Sequence, residues 1–392
     1  MAALMSIAAL ALDALLPALD IIGLAVGTTD IAQNQLLITL FFLGLGVGPL
    51  LFGPVSDSIG RKPVVYIGFG LFILASMLCV YSSTLEWMIV GRILQGISLS
   101  APRTISIAMI RDSYSGDYMA RIMSFVTVVF ILVPIIAPAV GKWIMDIYGW
   151  EAIFHIQVFF SILVSLWFWR RQPETLAVRN RKAFRANVFI KGYKELLSYR
   201  QTMAFTCIWG LITGSFLVYL STSQQVFQVQ YGLEDAFPYI FAALAITIGA
   251  ATLLNGTLVL RFGMLRLVTI ALLAYVLTPL LYITLYSGQH NPSLWVLLLF
   301  FGMQFFAVGF LFGNLRSLAM EPLGHIAGIG AALTGCLATL MAVPISAFIG
   351  QFVKTSVLPM FTGFLVCGLL ASGILFYVYW YARKSRMRVV NQ

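Results

Sequence analysis

Three ionisable side chains interrupt apolar runs of membrane-spanning length: Asp13, Arg92 and Arg103. A charge set against lipid is expensive, so such residues face a cavity or a partner. Burial favours the neutral form of a carboxyl group. Asp13 can therefore take up and release a proton near physiological pH, and Pro17 follows it by one helical turn. Arg92 and Arg103 are eleven residues apart, which returns an α-helix to within about 20° of the same face, about 16 Å down the axis. Neither guanidinium can lose its proton. One of them is expected to answer the charge of Asp13; the alternative is a packing arginine bonded to backbone carbonyls. Asp20 lies seven residues beyond Asp13 on nearly the same face. It is read as a cavity residue near the outer surface, against the plainer reading of a solvated helix end.

A second cluster stands at Gly53-Pro-Val-Ser-Asp57-Ser-Ile-Gly60-Arg61-Lys62-Pro63. Two glycines seven apart predict a sharp turn. Asp57, Arg61 and Lys62 give it charges of both signs, and Asp112 is the expected partner of Arg61. Asp30 reads as a helix N-cap. Pro134, Ala137, Pro138 and Gly141 predict a kinked, closely packed helix. Phe216, Tyr219 and Gln224 place rings and neutral hydrogen-bonding groups in the outer half of a later run, as suits a cavity wall for an amphiphilic ligand. Gln304 and Asn314 are further uncharged candidates, and plain packing is the competing reading. Cys79, Cys207, Cys336 and Cys367 are far apart, and His155, His290 and His325 are scattered. They form no metal-binding or nucleophile motif. No cofactor or metal is expected, and a membrane-embedded enzyme or a receptor has no motif to support it.

The elements that position these residues follow from composition. The chain has 392 residues, 60% hydrophobic and 10% charged, against roughly 25% charged in soluble domains. We place twelve spans at 3–25, 31–52, 64–82, 86–110, 119–141, 150–169, 200–222, 235–258, 267–286, 293–316, 322–349 and 355–381. Of the 24 Lys and Arg, 20 fall in one set of loops or tails, Lys142 and Lys354 in the other, and two inside spans. Positive charge stays cytoplasmic, so both termini are expected inside. That segregation explains the net charge of +10 without nucleic acid. The one long connection, 170–199, is basic and polar. It divides the chain into 1–169 and 200–392, two expected six-helix bundles joined by a cytoplasmic linker. Gly256 to Gly263, followed by Arg266, echoes the earlier glycine spacing, which supports a duplicated six-plus-six plan.

The stretch from Gly53 to Pro63 resembles the signature loop of the major facilitator superfamily. Arg92-x-x-Gln95-Gly96 is similar to the family's fourth-helix motif, and Ala137-Pro138-x-x-Gly141 to its antiporter motif. With Asp13-x-x-x-Pro17, Arg111-Asp112, Trp150-x-x-x-Phe154 and Glu321-Pro-Leu-Gly324-His325, the chain resembles the twelve-span drug:proton antiporters of the Bcr/CflA, or bicyclomycin-resistance, branch. The resemblance implies an all-α membrane protein with the major facilitator fold. It implies proton-driven efflux of small amphiphilic compounds by alternating access, from a bacterial inner membrane. It makes Gly53, Asp57, Gly60, Arg61, Lys62 and Asp112 a conformational latch against the start of span 11. A monomer is expected. Gly48-Pro49, Asp20 and Arg103 depart from the pattern and leave the substrate open. The alternative within transport is a carrier of an anionic metabolite or siderophore, with the arginine stripe binding the anion.

Overall fold

The computed structural model describes residues 1–28, 30–114, 116–181, 186–288 and 291–390. Without water to bond to, a chain crossing a membrane must satisfy its backbone within each segment, and a helix does so. The helices are α1 Ala2–Asp13, α2 Leu19–Ala25, α3 Ile31–Asn34, α4 Leu36–Ile59, α5 Arg61–Val80, α6 Leu85–Ser113, α7 Gly116–Tyr148, α8 Glu151–Arg171 and α9 Ala186–Ser198. They continue with α10 Arg200–Gln224, α11 Phe237–Phe262, α12 Met264–Tyr286, α13 Leu294–Met320, α14 Ala327–Gly350 and α15 Leu358–Val390. Eleven helical stretches among the described residues are long and apolar enough to cross a membrane. Helix α7, with 33 residues, makes the twelfth. Leu74, Leu260, Leu273 and Leu299 are each more than half exposed, a surface that suits lipid contact rather than water.

The chain divides into two compact units, Met1–Ala186 with Leu220–Ala245, and Asn187–Tyr219 with Ile246–Gln392. Residues 220–245, expected in the C-terminal bundle, cluster with the first unit. There Gln224 bonds Asp20 and Gln225 bonds Gln35.

In the first unit α4 and α6 cross backbone to backbone. A β-carbon on Gly44 would overlap the carbonyl oxygen of Ile93, and one on Gly96 that of Phe41. Small residues permit such crossings between apolar helices. The turn expected from two glycines is made by one. Helix α4 runs through Gly53, which has open space around it, and through Pro54 to Ile59. Gly60, at φ 112°, alone reverses the chain into α5; that conformation strains any residue with a β-carbon. The second span is correspondingly longer than the expected 31–52. In the second unit Gly263, at φ 79°, makes the same kind of turn between α11 and α12. There α12, α13 and α15 meet through rings, with Tyr282 stacked on Phe361 at 3.8 Å and edge-on to Phe300 at 5.2 Å.

Candidate functional site

The first span is broken where its acid stands. Asp13 is the last residue of α1 and is 3% exposed. The next turns are irregular: Leu15 N–H bonds the carbonyl of Leu12 at 3.3 Å, and Leu16–Ala18 form a 3₁₀ turn before α2. Pro17 has no N–H to give the Asp13 carbonyl. The carbonyl of Ala11 also loses its helical donor, because Leu15 bonds elsewhere. Arg92 Nη1 takes that carbonyl at 3.1 Å. Its Nε donates to Leu37 O at 3.1 Å, and Nη1 also to Gln95 Oε1 at 2.7 Å. Gln95 in turn donates to Ser76 Oγ at 2.8 Å, and the guanidinium lies over Phe41, 4.4 Å from the ring centre.

Arg92 thus reaches the backbone of the Asp13 helix and not its carboxylate. The carbonyl-bonded arrangement, given above as the alternative, is the one observed for Arg92. Asp13 belongs to none of the ion pairs found among the described residues. Arg103 sits farther along α6 and is partly exposed, whereas Arg92 is fully buried. On the other side of the break, Gly141 of α7 lies against Ala14, so that a β-carbon would overlap its carbonyl oxygen. Ala137 is buried beside Gly141 on α7, and both prolines, Pro134 and Pro138, lie inside that helix.

At the Gly60 turn the charges gather. Arg61 pairs with Asp57 and Asp112, the latter at 2.9 Å, and donates to Ser56 Oγ at 2.7 Å. Thr175 also bonds Asp112, at 3.1 Å. Lys62 Nζ donates to Trp169 O at 3.3 Å. Sequence reasoning missed Glu174. Its carboxylate accepts the backbone N–H groups of Arg61, Lys62 and Leu176, each at 3.0 Å. It caps the first turn of α5 from more than 100 residues away. Burial works to raise its pKa, but the backbone donors outweigh it and hold the group below the ordinary 4.5.

Asp20 lies in an amide cluster. It accepts Gln224 Nε2 at 2.8 Å and Asn34 Nδ2 at 3.4 Å. Gln224 also donates to Gln228, and buried Gln35 donates to Gln225 at 2.7 Å. From Gln225 to Gln230 the helix widens into a π-helix, a form that recurs at functional sites. Asp30 accepts the N–H of Ala32 at 3.0 Å, as an N-cap does.

The remaining candidates belong to the second unit. Phe216 and Tyr219 pack on Phe305, with ring centres 5.4 and 4.5 Å away. Gln304 is fully buried. Asn314 is held in a reciprocal amide pair with Asn255, at 2.7 and 3.3 Å. A cavity of about 250 Å³ in the first unit is lined by Met109, Tyr114, Phe125, Val129 and Gln172 among others; none of the expected substrate residues is part of it. Among the described residues, no group of three or more His, Cys, Asp or Glu is arranged to hold a metal.

The family model described as Major Facilitator Superfamily matches residues 1–343. An uncharacterized MFS-type transporter, YdgK of Bacillus subtilis, is 30% identical over 332 residues, 83% of this chain and 81% of the relative. A bicyclomycin resistance protein homolog of Haemophilus influenzae is 25% identical over 360 residues, 91% and 89% of the two chains. A multidrug resistance protein, MdtL of Escherichia coli, is 26% identical over 309 residues, 78% and 75%. Among solved structures, a D-xylose–proton symporter superposes with a TM-score of 0.70 at 14% identity, covering 95% of both chains. That likeness concerns the fold alone.

Proposed function

The chain belongs to the major facilitator superfamily, and from that premise we propose that it exports small amphiphilic organic compounds in exchange for protons. The observation that carries the reading is a buried carboxyl group, with no ion-pair partner among the described residues, at a break in the first span. The resistance-protein names of its relatives support the class of cargo. Two six-helix bundles, 1–169 and 200–392, joined by the linker 170–199, alternate access to a central cavity. Asp13 exchanges its proton for substrate; with Arg92 bonded to backbone carbonyls, Arg103 is the arginine that answers its charge. Gly53, Asp57, Gly60, Arg61, Lys62 and Asp112 form the latch, with Glu174 added to it. Pro134, Ala137, Pro138 and Gly141 set the packing of the fifth span. Asp20, Phe216, Tyr219, Gln224, Gln304 and Asn314 contribute to substrate contact. The transporter works as a monomer in a bacterial inner membrane with both termini cytoplasmic.

A membrane potential of about 100 mV supplies about 2.3 kcal/mol per charge moved, enough for a gradient of roughly fiftyfold. Proteoliposomes with an imposed pH gradient test the proposal, with chloramphenicol and ethidium as first cargoes of a wider panel. The parent exports at least one compound, and Asp13→Asn abolishes the gradient-driven part while the protein stays folded. Undiminished export by Asp13→Asn removes the acid from the mechanism. Anion transport lost on Arg103→Ala, with Asp13 dispensable, favours the carrier of an anionic metabolite.

A further inference from the structure

The break after Asp13 is held from both sides. Arg92 on α6 occupies the carbonyl of Ala11, two residues before the acid. Gly141 on α7 occupies the space against Ala14, one residue after it, where a β-carbon would stand 2.7 Å from the carbonyl carbon and on top of the oxygen. Neither contact involves the Asp13 side chain. Both fix the peptide groups that orient it. Arg92 is itself held by Gln95 and Leu37, so its grip on α1 is rigid. Among the described residues its Nη2 is buried with no acceptor, so burying this cation is costly. A purely apolar packing residue would fill the position at no such cost.

We propose that Gly141 is a positioning residue for Asp13: its contact with Ala14 keeps the first span broken at residues 14–18 and so sets the proton affinity of its acid. This rests on the reading of Asp13 as the proton carrier. The other charged groups on the helices packed against α1 include Glu86, Arg103, Arg111 and Asp112 on α6, Lys142 and Asp146 on α7, and Glu151, His155, Arg170 and Arg171 on α8. Lys142 pairs with Asp146 and Asp235, and Asp112 with Arg61. None of the ion pairs or side-chain hydrogen bonds found among the described residues joins any of these groups to Asp13.

The test reads the acid directly. Infrared titration of the full chain in lipid nanodiscs follows the carboxyl band that Asp13→Asn removes, between about pH 4 and 10. Gly141→Ala is expected to displace the midpoint by about one pH unit or more. Gly70→Ala on α5, where a β-carbon meets open space, keeps the parent midpoint. Should Gly141→Ala not fold, Pro17→Ala restores an N–H for the Asp13 carbonyl and lets the helix close over the break; a displaced midpoint is expected there too. A folded Gly141→Ala or Pro17→Ala with the parent midpoint overturns the proposal while leaving the proton-carrier reading intact. A parent whose Asp13 band does not titrate overturns that reading and the proposal with it.

Discussion

Glu174 caps α5 with a carboxylate borrowed from the far end of the same unit. Three backbone N–H groups converge on it, and a carboxylate at a helix N-terminus is also favoured by the helix dipole. Because its folded pKa lies below the ordinary 4.5, its stabilisation is fully present above that value. It drains away as pH falls through the lower folded value. Thermal unfolding of purified protein across pH 3–7 should therefore show a gap between parent and Glu174→Gln that is constant above about pH 5 and closes toward pH 3. A gap that persists unchanged at the acid end contradicts this assignment. Glu174 was not legible in the sequence, because Pro173-Glu174-Thr175 reads as an ordinary polar helix end. Its partners are peptide N–H groups, which carry no residue identity. Arg92 was legible as a buried cation, and bonding to carbonyls was one of its two readings, but the choice of Leu37 and Ala11 was not legible, because peptide oxygens carry no residue identity. Asp57, Arg61 and Asp112 were legible because both members of each pair are side chains.

The widened segment Gln225–Gln230 follows α10 and carries its own buried amide contact, Gln35 to Gln225. Both glutamines are under a tenth exposed. Replacing one removes this bond and leaves the other amide buried without it, at a cost of about 1–3 kcal/mol, whereas replacing both with apolar residues can cost less. Gln35→Leu and Gln225→Leu should each lower the unfolding temperature, and the double variant should recover most of the loss. An additive double variant rejects the pairing. The spans themselves were legible because lipid imposes length and apolarity on every one of them. The end of α4 was misplaced by seven residues, since Gly53-Pro54 reads as a breaker, yet Pro54 is accommodated and only Gly60 takes a conformation that ends a helix. The π-helix left no compositional trace.

At the scale of the whole molecule, the charge asymmetry is the strongest feature: 20 of 24 cationic residues lie on the loops proposed to face the cytoplasm. In a variant freed of its four native cysteines, Arg179→Cys should react with a membrane-impermeant maleimide only in inside-out vesicles. Lys354→Cys should react only in right-side-out ones. The reverse pattern inverts the proposed orientation. The crossing of α4 and α6 has a genetic corollary. At Gly44 and at Gly96 the obstacle to a larger residue is the main chain of the opposite helix, which every codon encodes alike. Trimming a neighbouring side chain does not remove that obstacle, so lesions at either position should be cured by true reversion far more often than by second-site changes.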